Sequence, residues 1–239
     1  MNIPIWCADL ADGFWARVGT TPAYPRDLRK VIAAAVPLSV IDLPSVTVTA
    51  VRQWFEWMNL PIHLDEADRP LRACLVALCG EGFAFVDAYD TDMERNFSIA
   101  HELGHFLRDY FNPRETVIQR LGSVALEVLD GKRPPTPTER FQAVFRNAPI
   151  GPFTHVLRRD ETGIPLTHVE RESEFAADRL AFELLAPVAA LGDCENRNEL
   201  VTRLVDVFGL PPEPATRYAN LLLPDAPKAG VHVSRFLIC

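Results

Sequence analysis

Two histidines and a glutamate in one short stretch carry the strongest chemical signal in this chain. His101, Glu102 and His105 spell H-E-x-x-H. On a helix, positions i and i+4 lie on one face about one turn apart, so both imidazoles can reach a single metal ion. Glu102, one step round the helix, then lies beside a metal-bound water rather than on the metal. That placement suits a general base. The bland alternative is a pair of structural histidines bridged to nearby carbonyls, and it does not explain why Glu102 sits between them.

A two-histidine site needs a third protein ligand and leaves its fourth position for water. The stretch 170–187 reads as a helix ended near Pro187. Glu174 and Asp178 share one face of it. Glu174 suits the role of third ligand. Asp178, one turn on, can accept a hydrogen bond from the outer nitrogen of a ligating histidine and so set its tautomer. Ala177 and Ala181 border that face, and their small side chains let another helix come close. Glu170 and Glu172 read as solvated.

These residues need elements to position them. Thr91-Asp92 offers an N-cap before the H-E-x-x-H stretch, and Glu94 falls in the first turn, where the helix dipole favours negative charge. Phe97, Ala100, Gly104, Leu107 and Phe111 make one apolar stripe, and Ile99, Leu103, Phe106 and Tyr110 a second. A helix apolar on nearly all sides is buried. Its remaining sector carries Glu94, Ser98, His101, Glu102, His105, Arg108 and Asp109.

Upstream, Trp6, Phe14 and Trp15 are expected to pack on the core from an otherwise mixed segment. A helix opened by 24–28 and running to about Val36 is expected, then a strand over 38–43 and a helix over 47–59. A short strand is expected over 60–65. The runs 71–78 and 83–88, joined by Cys79-Gly80-Glu81-Gly82, read as a β-hairpin. Strand 83–88 is the one expected to pair with an extended peptide. His63 reads as solvated. Downstream, 113–130 reads as one helix ended by Gly131, 138–147 as another after a Pro-rich loop, and 154–169 as a second hairpin. Helices are expected over 198–208 and 214–223, with a last strand over 231–238. The stretch 204–223 loosely resembles a helix-turn-helix, but its few basic residues favour a packing pair.

With these elements in place, a family resemblance becomes specific. The run Arg95-Asn96-Phe97-Ser98-Ile99-Ala100-His101-Glu102-Leu103-Gly104-His105 resembles the core signature of the ImmA/IrrE family of zinc metallopeptidases. A downstream E-x-x-x-D also follows the gluzincin pattern. The helix from Glu174 to Pro187 is similar to the family's second signature. Ala181, Leu184, Leu185 and Pro187 match it, Leu180 replaces the common Phe, and Asp178 stands where the family usually has Asn.

The resemblance implies an α+β fold with a zincin-like core, a small antiparallel sheet and mostly helical surroundings. It implies one Zn2+ per chain, or another divalent metal, held by His101, His105 and Glu174, with Glu102 as catalytic base. It also implies a metal-dependent endopeptidase of restricted specificity whose protein substrate is a regulator such as a transcriptional repressor. Residues 1–44 then read as an N-terminal extension packing on the core and 45–239 as the metallopeptidase domain. Within that domain, 112–169 reads as an insertion, because the interval from His105 to Glu174 is longer than is usual in the family. An insertion anchored beside the site suits a lid or docking surface. Residues 190–239 read as a C-terminal helical region. The alternative is a non-proteolytic metal-binding module that binds a repressor or an antitoxin. Retention of Glu102 favours the enzyme. For the oxyanion, His155, Arg158, His168, Tyr218 and His232 are open candidates.

Composition narrows the field. A net charge of −8 over 239 residues disfavours a general nucleic-acid surface. No apolar run is long enough to span a bilayer. Residues 1–15 lack a basic start and carry Asp9 and Asp12, unlike a signal peptide. Five cysteines, Cys7, Cys74, Cys79, Cys194 and Cys239, form no C-x-x-C pair. That usage fits buried thiols in a reducing cytoplasm, and nothing supports a cysteine ligand.

Overall fold

A computed structural model describes residues 3–60, 62, 64, 67–146, 148, 150–151 and 167–224. The architecture is α+β, a small sheet with helices on both faces. Its strands are β1 (Leu38–Leu43), β2 (Ala73–Leu78) and β3 (Glu81–Asp87). Their order is β1-β3-β2, with β1 parallel and β2 antiparallel to β3.

Two expectations change here. The sheet is mixed rather than antiparallel, because 38–43 enters it as a parallel edge strand. And β3 is the central strand, its backbone paired on both sides, so it cannot also pair with a peptide. Among the described residues the edge strand β2 pairs only with β3.

Side chains alternate along the strands and feed two faces. Phe83 and Phe85 of β3 and Val76 of β2 meet Trp54 and Phe55 of α3 (Val48–Trp57). Leu60, Ile62 and Leu64 pack on that same cluster. None of these three is in a strand, contrary to the reading of 60–65. Ala84 and Val86 of β3, with Leu75 and Ala77 of β2, face the larger core on the other side. Gly82 is needed at this junction. A Cβ there would lie 2.6 Å from both Leu38 and Phe106.

The larger core is built on α4 (Asp92–His105). Thr91 and Glu94 close its start as a capping box. The helix then widens into a π turn over Phe106–Phe111 and runs on as α5 (Asn112–Leu121). Pro113 explains the widening. It has no N–H for the carbonyl four residues back, and its ring would clash there. The amide of Asn112 accordingly bonds to the carbonyl of Leu107. The π turn also aims Tyr110, whose hydroxyl accepts from the amide of Gly80 at 2.6 Å.

Helix α8 (His168–Leu185) lies across α4, capped by Thr167 and Glu170. His168 and Val169, read as the end of a hairpin strand, are instead its first turn. The rest of that hairpin lies outside the described residues, as do His63 and the strand over 231–238. At the crossing, a Cβ on Gly104 would be 3.0 Å from the carbonyl oxygen and 3.2 Å from the Cα of Ala177. Gly104 therefore lets the two backbones touch.

The N-terminal segment is more regular than its composition suggests. It forms α1 (Ile5–Val18), with Cys7, Ala11, Phe14 and Trp15 on the buried side against α8. Gly19, at φ 82°, ends it. The helix expected to open with 24–28 and run to Val36 is instead non-helical over 24–27, then a 3-10 turn (Leu28–Lys30) and the short α2 (Ile32–Ala35).

The stretch 113–130 also breaks. Gly122, at φ 86°, separates α5 from a 3-10 turn and α6 (Leu126–Leu129). These elements, with Ala148 and Ile150 after α7 (Pro137–Phe145), enclose a small separate cluster around Val117, Ala125 and Leu129. The helices α9 (Arg197–Asp206) and α10 (Pro212–Leu222) pack on the main core through Leu200, Leu204, Ala215 and Tyr218. No helix among the described residues is long and apolar enough to cross a membrane.

The α4–α8 contact yields the first prediction. Gly104→Val gains helix propensity but must push Ala177 away, and overpacking of this kind costs about 1–3 kcal/mol. Denaturant melts should show that loss, with a matching fall in metal uptake. Stability at or above wild type would mean that the crossing tolerates a side chain.

Candidate metal centre

Helix α4 presents His101 and His105 one above the other, and α8 brings Glu174 to the same point. The Nε2 atoms of the two histidines are 3.1 Å apart. Glu174 places one carboxylate oxygen 3.5 Å from His101 Nε2 and the other 3.6 Å from His105 Nε2. Three ligands about 2.0–2.1 Å from one tetrahedral ion lie about 3.3 Å from each other. The two nitrogens fit that spacing, and Glu174 offers each of them an oxygen close to it, all three ligand atoms of the triangle lying within 4.8 Å of one another. Among the described residues the triangle is the group of His, Cys, Asp and Glu atoms close enough to share an ion. Cys7, Cys74, Cys79 and Cys194 take no part in it.

Each imidazole is held from behind. His101 Nδ1 is 2.9 Å from Asp178 Oδ1, and His105 Nδ1 is 3.1 Å from Asp109 Oδ2. A carboxylate at Nδ1 keeps the proton on that nitrogen and leaves the Nε2 lone pair facing the centre. Two such lone pairs at this separation repel unless a cation lies between them.

The carboxylates are held in turn. Arg217 of α10 donates to Asp178 Oδ2 at 2.8 Å, and Arg108 donates to Asp109 Oδ1 at 2.5 Å. Ser173 donates to Asp109 Oδ2 at 2.6 Å. The centre thus rests on two similar chains of contacts, His101–Asp178–Arg217 and His105–Asp109–Arg108.

The local field calls for positive charge. Burial alone would favour neutral His101, but its hydrogen bonds to Asp178 and Glu174 and the charge of Glu102 outweigh burial and push it up to about 10. His105 is raised in the same way by Asp109 and Glu174 against its own burial. Burial would raise Glu174, but the two imidazoles hold it well below the usual carboxylate range. Without a metal, protons supply the positive charge. A divalent ion at the triangle would replace them.

Exposure is uneven, and this matters for access. The His105 side chain is 1% exposed, whereas His101, Glu174 and Asp178 are 16%, 21% and 19% exposed. They open onto a cleft of about 250 Å³ that Glu102 and Ser98 also line. The far wall is formed by 69–73 at the entry to β2, and Phe97 and Arg217 complete it. None of the described part of 112–169 lines this cleft.

All five residues singled out from the sequence, His101, Glu102, His105, Glu174 and Asp178, meet at this cleft or its floor. Asp109 was recognised only as part of the polar strip of α4. Its spacing four residues after His105 was the available signal. Arg108 lay in the same strip, whereas Ser173, Arg217, Arg69 and Arg72 had no signal, because only the tertiary fold brings them here.

The open oxyanion candidates divide. Tyr218 points into the core, where it stacks on Phe182 and donates to the carbonyl of Ala186 at 3.2 Å. Its burial also pushes its phenol up. It is therefore removed from the cleft, and its neighbour Arg217 occupies that position. His168 is exposed beside Glu172. His155, Arg158 and His232 lie outside the described residues. Compared with protein-family models, curated proteins and solved structures, the chain gives no match.

Metal binding is expected at one divalent ion per chain, read by elemental analysis. His101→Ala and Glu174→Ala should each lose most of it. Asp109→Ala and Asp178→Ala should weaken affinity by about 10–100-fold, the usual scale for residues that orient ligands. Asp178→Asn should be milder, since its amide oxygen still accepts from an imidazole. His101 must shed its proton to ligate, so affinity should climb with pH towards about 10. Calorimetry at neutral pH in buffers of different ionisation enthalpy should detect proton release on binding. Full binding by Glu174→Ala would move the third ligand elsewhere.

Proposed function

We propose that this chain is a metal-dependent endopeptidase of restricted specificity, with a zincin-like core resembling the ImmA/IrrE family. Its substrate would be a regulatory protein such as a transcriptional repressor. The observation that carries the reading is the convergence of His101, His105 and Glu174 at metal-ligand spacing, with Glu102 beside them on an open cleft. A zincin-like core is supported by the pairing of α4 and α8 over a small sheet whose edge strand leads from the cleft.

A bound divalent ion, most simply zinc, would polarise the scissile carbonyl and make a water acidic enough to attack near neutral pH. Glu102 takes the proton from the attacking water and delivers it to the leaving amine. It is 6% exposed and sits one residue from a ligand, so its carboxylate meets the water from within the cleft rather than from bulk solvent. Asp178 and Asp109 keep the imidazoles in the ligating tautomer. Arg217 stands at the cleft wall, where it can meet negative charge developing on the carbonyl oxygen. The peptide would run along 69–73 and the open side of β2.

Glu102→Gln separates this reading from a metal-binding module without catalysis. The variant keeps its shape but cannot take a proton. It should fold, bind metal like wild type and lose cleavage by on the order of a hundredfold or more. Cleavage is read by incubating metallated protein with a cell extract and identifying new peptide N-termini by mass spectrometry. Equal cleavage by wild type and Glu102→Gln would remove the proposed base. No cleavage by either, with metal bound, would favour the non-proteolytic module.

A further inference from the structure

The walls of the metal cleft carry a charge pattern that the hydrolytic chemistry does not require. Arg69 and Arg72 line one side and Arg217 the other. The first two stand on a fixed backbone. The amide of Val48 donates to the carbonyl of Arg69 at 3.3 Å, that of Leu71 to Val46 at 2.8 Å, and Thr47 bridges Pro70. Arg217 is held by Asp178 and lies 5.9 Å over the Phe97 ring. Helix α10 joins the two walls, since Glu213, one turn before Arg217, reaches Arg72 at 3.9 Å.

Three arginines thus share the cleft lining with three carboxylates, those of Glu102, Glu174 and Asp178, and Glu213 flanks Arg72. Glu174 is engaged by both imidazoles and Asp178 by His101 and Arg217, and a divalent ion would tip the cleft lining to net positive. The chain as a whole is acidic, at −8. At physiological salt the Debye length is about 8 Å, so the arginines inside the cleft outweigh charge on distant faces. The remaining wall is apolar, formed by Leu71, Ala73 and Phe97. At about 250 Å³ the cleft falls just below the usual range of roughly 300–1,000 Å³ for small-molecule pockets. It suits one or two side chains of an extended segment rather than a folded surface.

We propose that this cleft selects protein segments bearing an aspartate or glutamate beside the bond at the metal, with Arg69 and Arg72 as the countercharge. Arginine suits the task because its planar fork grips a carboxylate through two parallel hydrogen bonds. The apolar wall carries the adjoining backbone and aliphatic atoms. The proposal rests on the endopeptidase reading for the position of the bond, but not for the charge preference itself.

The test has a binding arm and a cleavage arm. In the first, metallated Glu102→Gln protein is titrated with fluorescent peptides that differ at one central position, Asp, Gln or Lys. The Asp peptide should bind at least about tenfold more tightly than the Lys peptide. Arg72→Glu and Arg69→Glu should erase or invert that order at unchanged metal content. Arg72→Gln and Arg69→Gln serve if the reversals do not fold, and should flatten it. In the second arm, metallated wild type digests a proteome-derived peptide library, and acidic residues should be enriched next to the cut sites.

Acidic binding without cleavage would uphold the selection while removing the hydrolytic reading. Cleavage with no charge preference would do the reverse. Equal affinity for the three peptides, or an order unchanged in the arginine variants, would overturn the proposal. So would a single-stranded oligonucleotide that outcompetes the Asp peptide, since the cleft would then read phosphate.

Discussion

Backbone contact between α4 and α8 at Gly104 and Ala177 is the constraint on which the rest depends. The two histidines belong to one helix, and Glu174 and Asp178 to the other. Their side chains can share a centre only if the helix axes come unusually close. A glycine facing an alanine allows that, since a Cβ on the glycine would press to 3.0 Å from the Ala177 carbonyl oxygen. The α4 capping box, the buried stripes of α4 and the support of α1 behind α8 all serve to hold this crossing in place. The sheet does the same from the opposite side, where Gly82 lets Phe106 settle against β3.

Once the crossing is made, electrostatics dictates what surrounds it. Glu102, Asp109, Glu174 and Asp178 converge on two imidazoles in a largely dry site, which would be costly without compensation. Compensation comes from both directions. Arg108 and Arg217 neutralise the outer aspartates, and protons or a divalent ion neutralise the centre. Each aspartate therefore does two things, keeping its imidazole in one tautomer and passing part of its charge to an arginine. The arginine on one side reaches the cleft. The other sits against Trp6 of α1, so the N-terminal helix touches the support of His105.

The π turn links this centre to the helices that follow. Pro113 forces the widening, and the wider turn aims Tyr110 at Gly80, while Asp109, one turn after His105, meets its imidazole from the same stretch. The segment after it then departs from the site and closes its own small cluster around Val117 and Leu129. As far as it is described, this segment supports α5 rather than covering the cleft. The lid or docking role expected for 112–169 therefore has no contact behind it among those residues.

The amino-acid sequence determined what short-range physics controls. The capped start of α4, its burial on nearly all sides, the one-turn spacing of His101 and His105, and the shared face of Glu174 and Asp178 all follow from helical periodicity within a few residues. The β2–β3 hairpin follows from turn chemistry, but the turn is Cys79-Gly80 alone, both at positive φ, and Glu81 and Gly82 already belong to β3. Long-range pairing was not legible in the same way. That 38–43 enters the sheet as a parallel strand and makes β3 central depends on a partner more than forty residues away. Helix α1 was missed although its buried positions, Cys7, Ala11, Phe14 and Trp15, recur at helical spacing, because no side chain caps its start and apolar residues such as Ile5 on its exposed face blur the stripe. Asp109, Arg108 and Arg217 are ordinary polar residues until the α4–α8 crossing and the packing of α10 bring them to the histidines. Local pattern can therefore nominate ligands and a base. Only the three-dimensional approach of distant segments decides which charges orient those groups and which line the path to them.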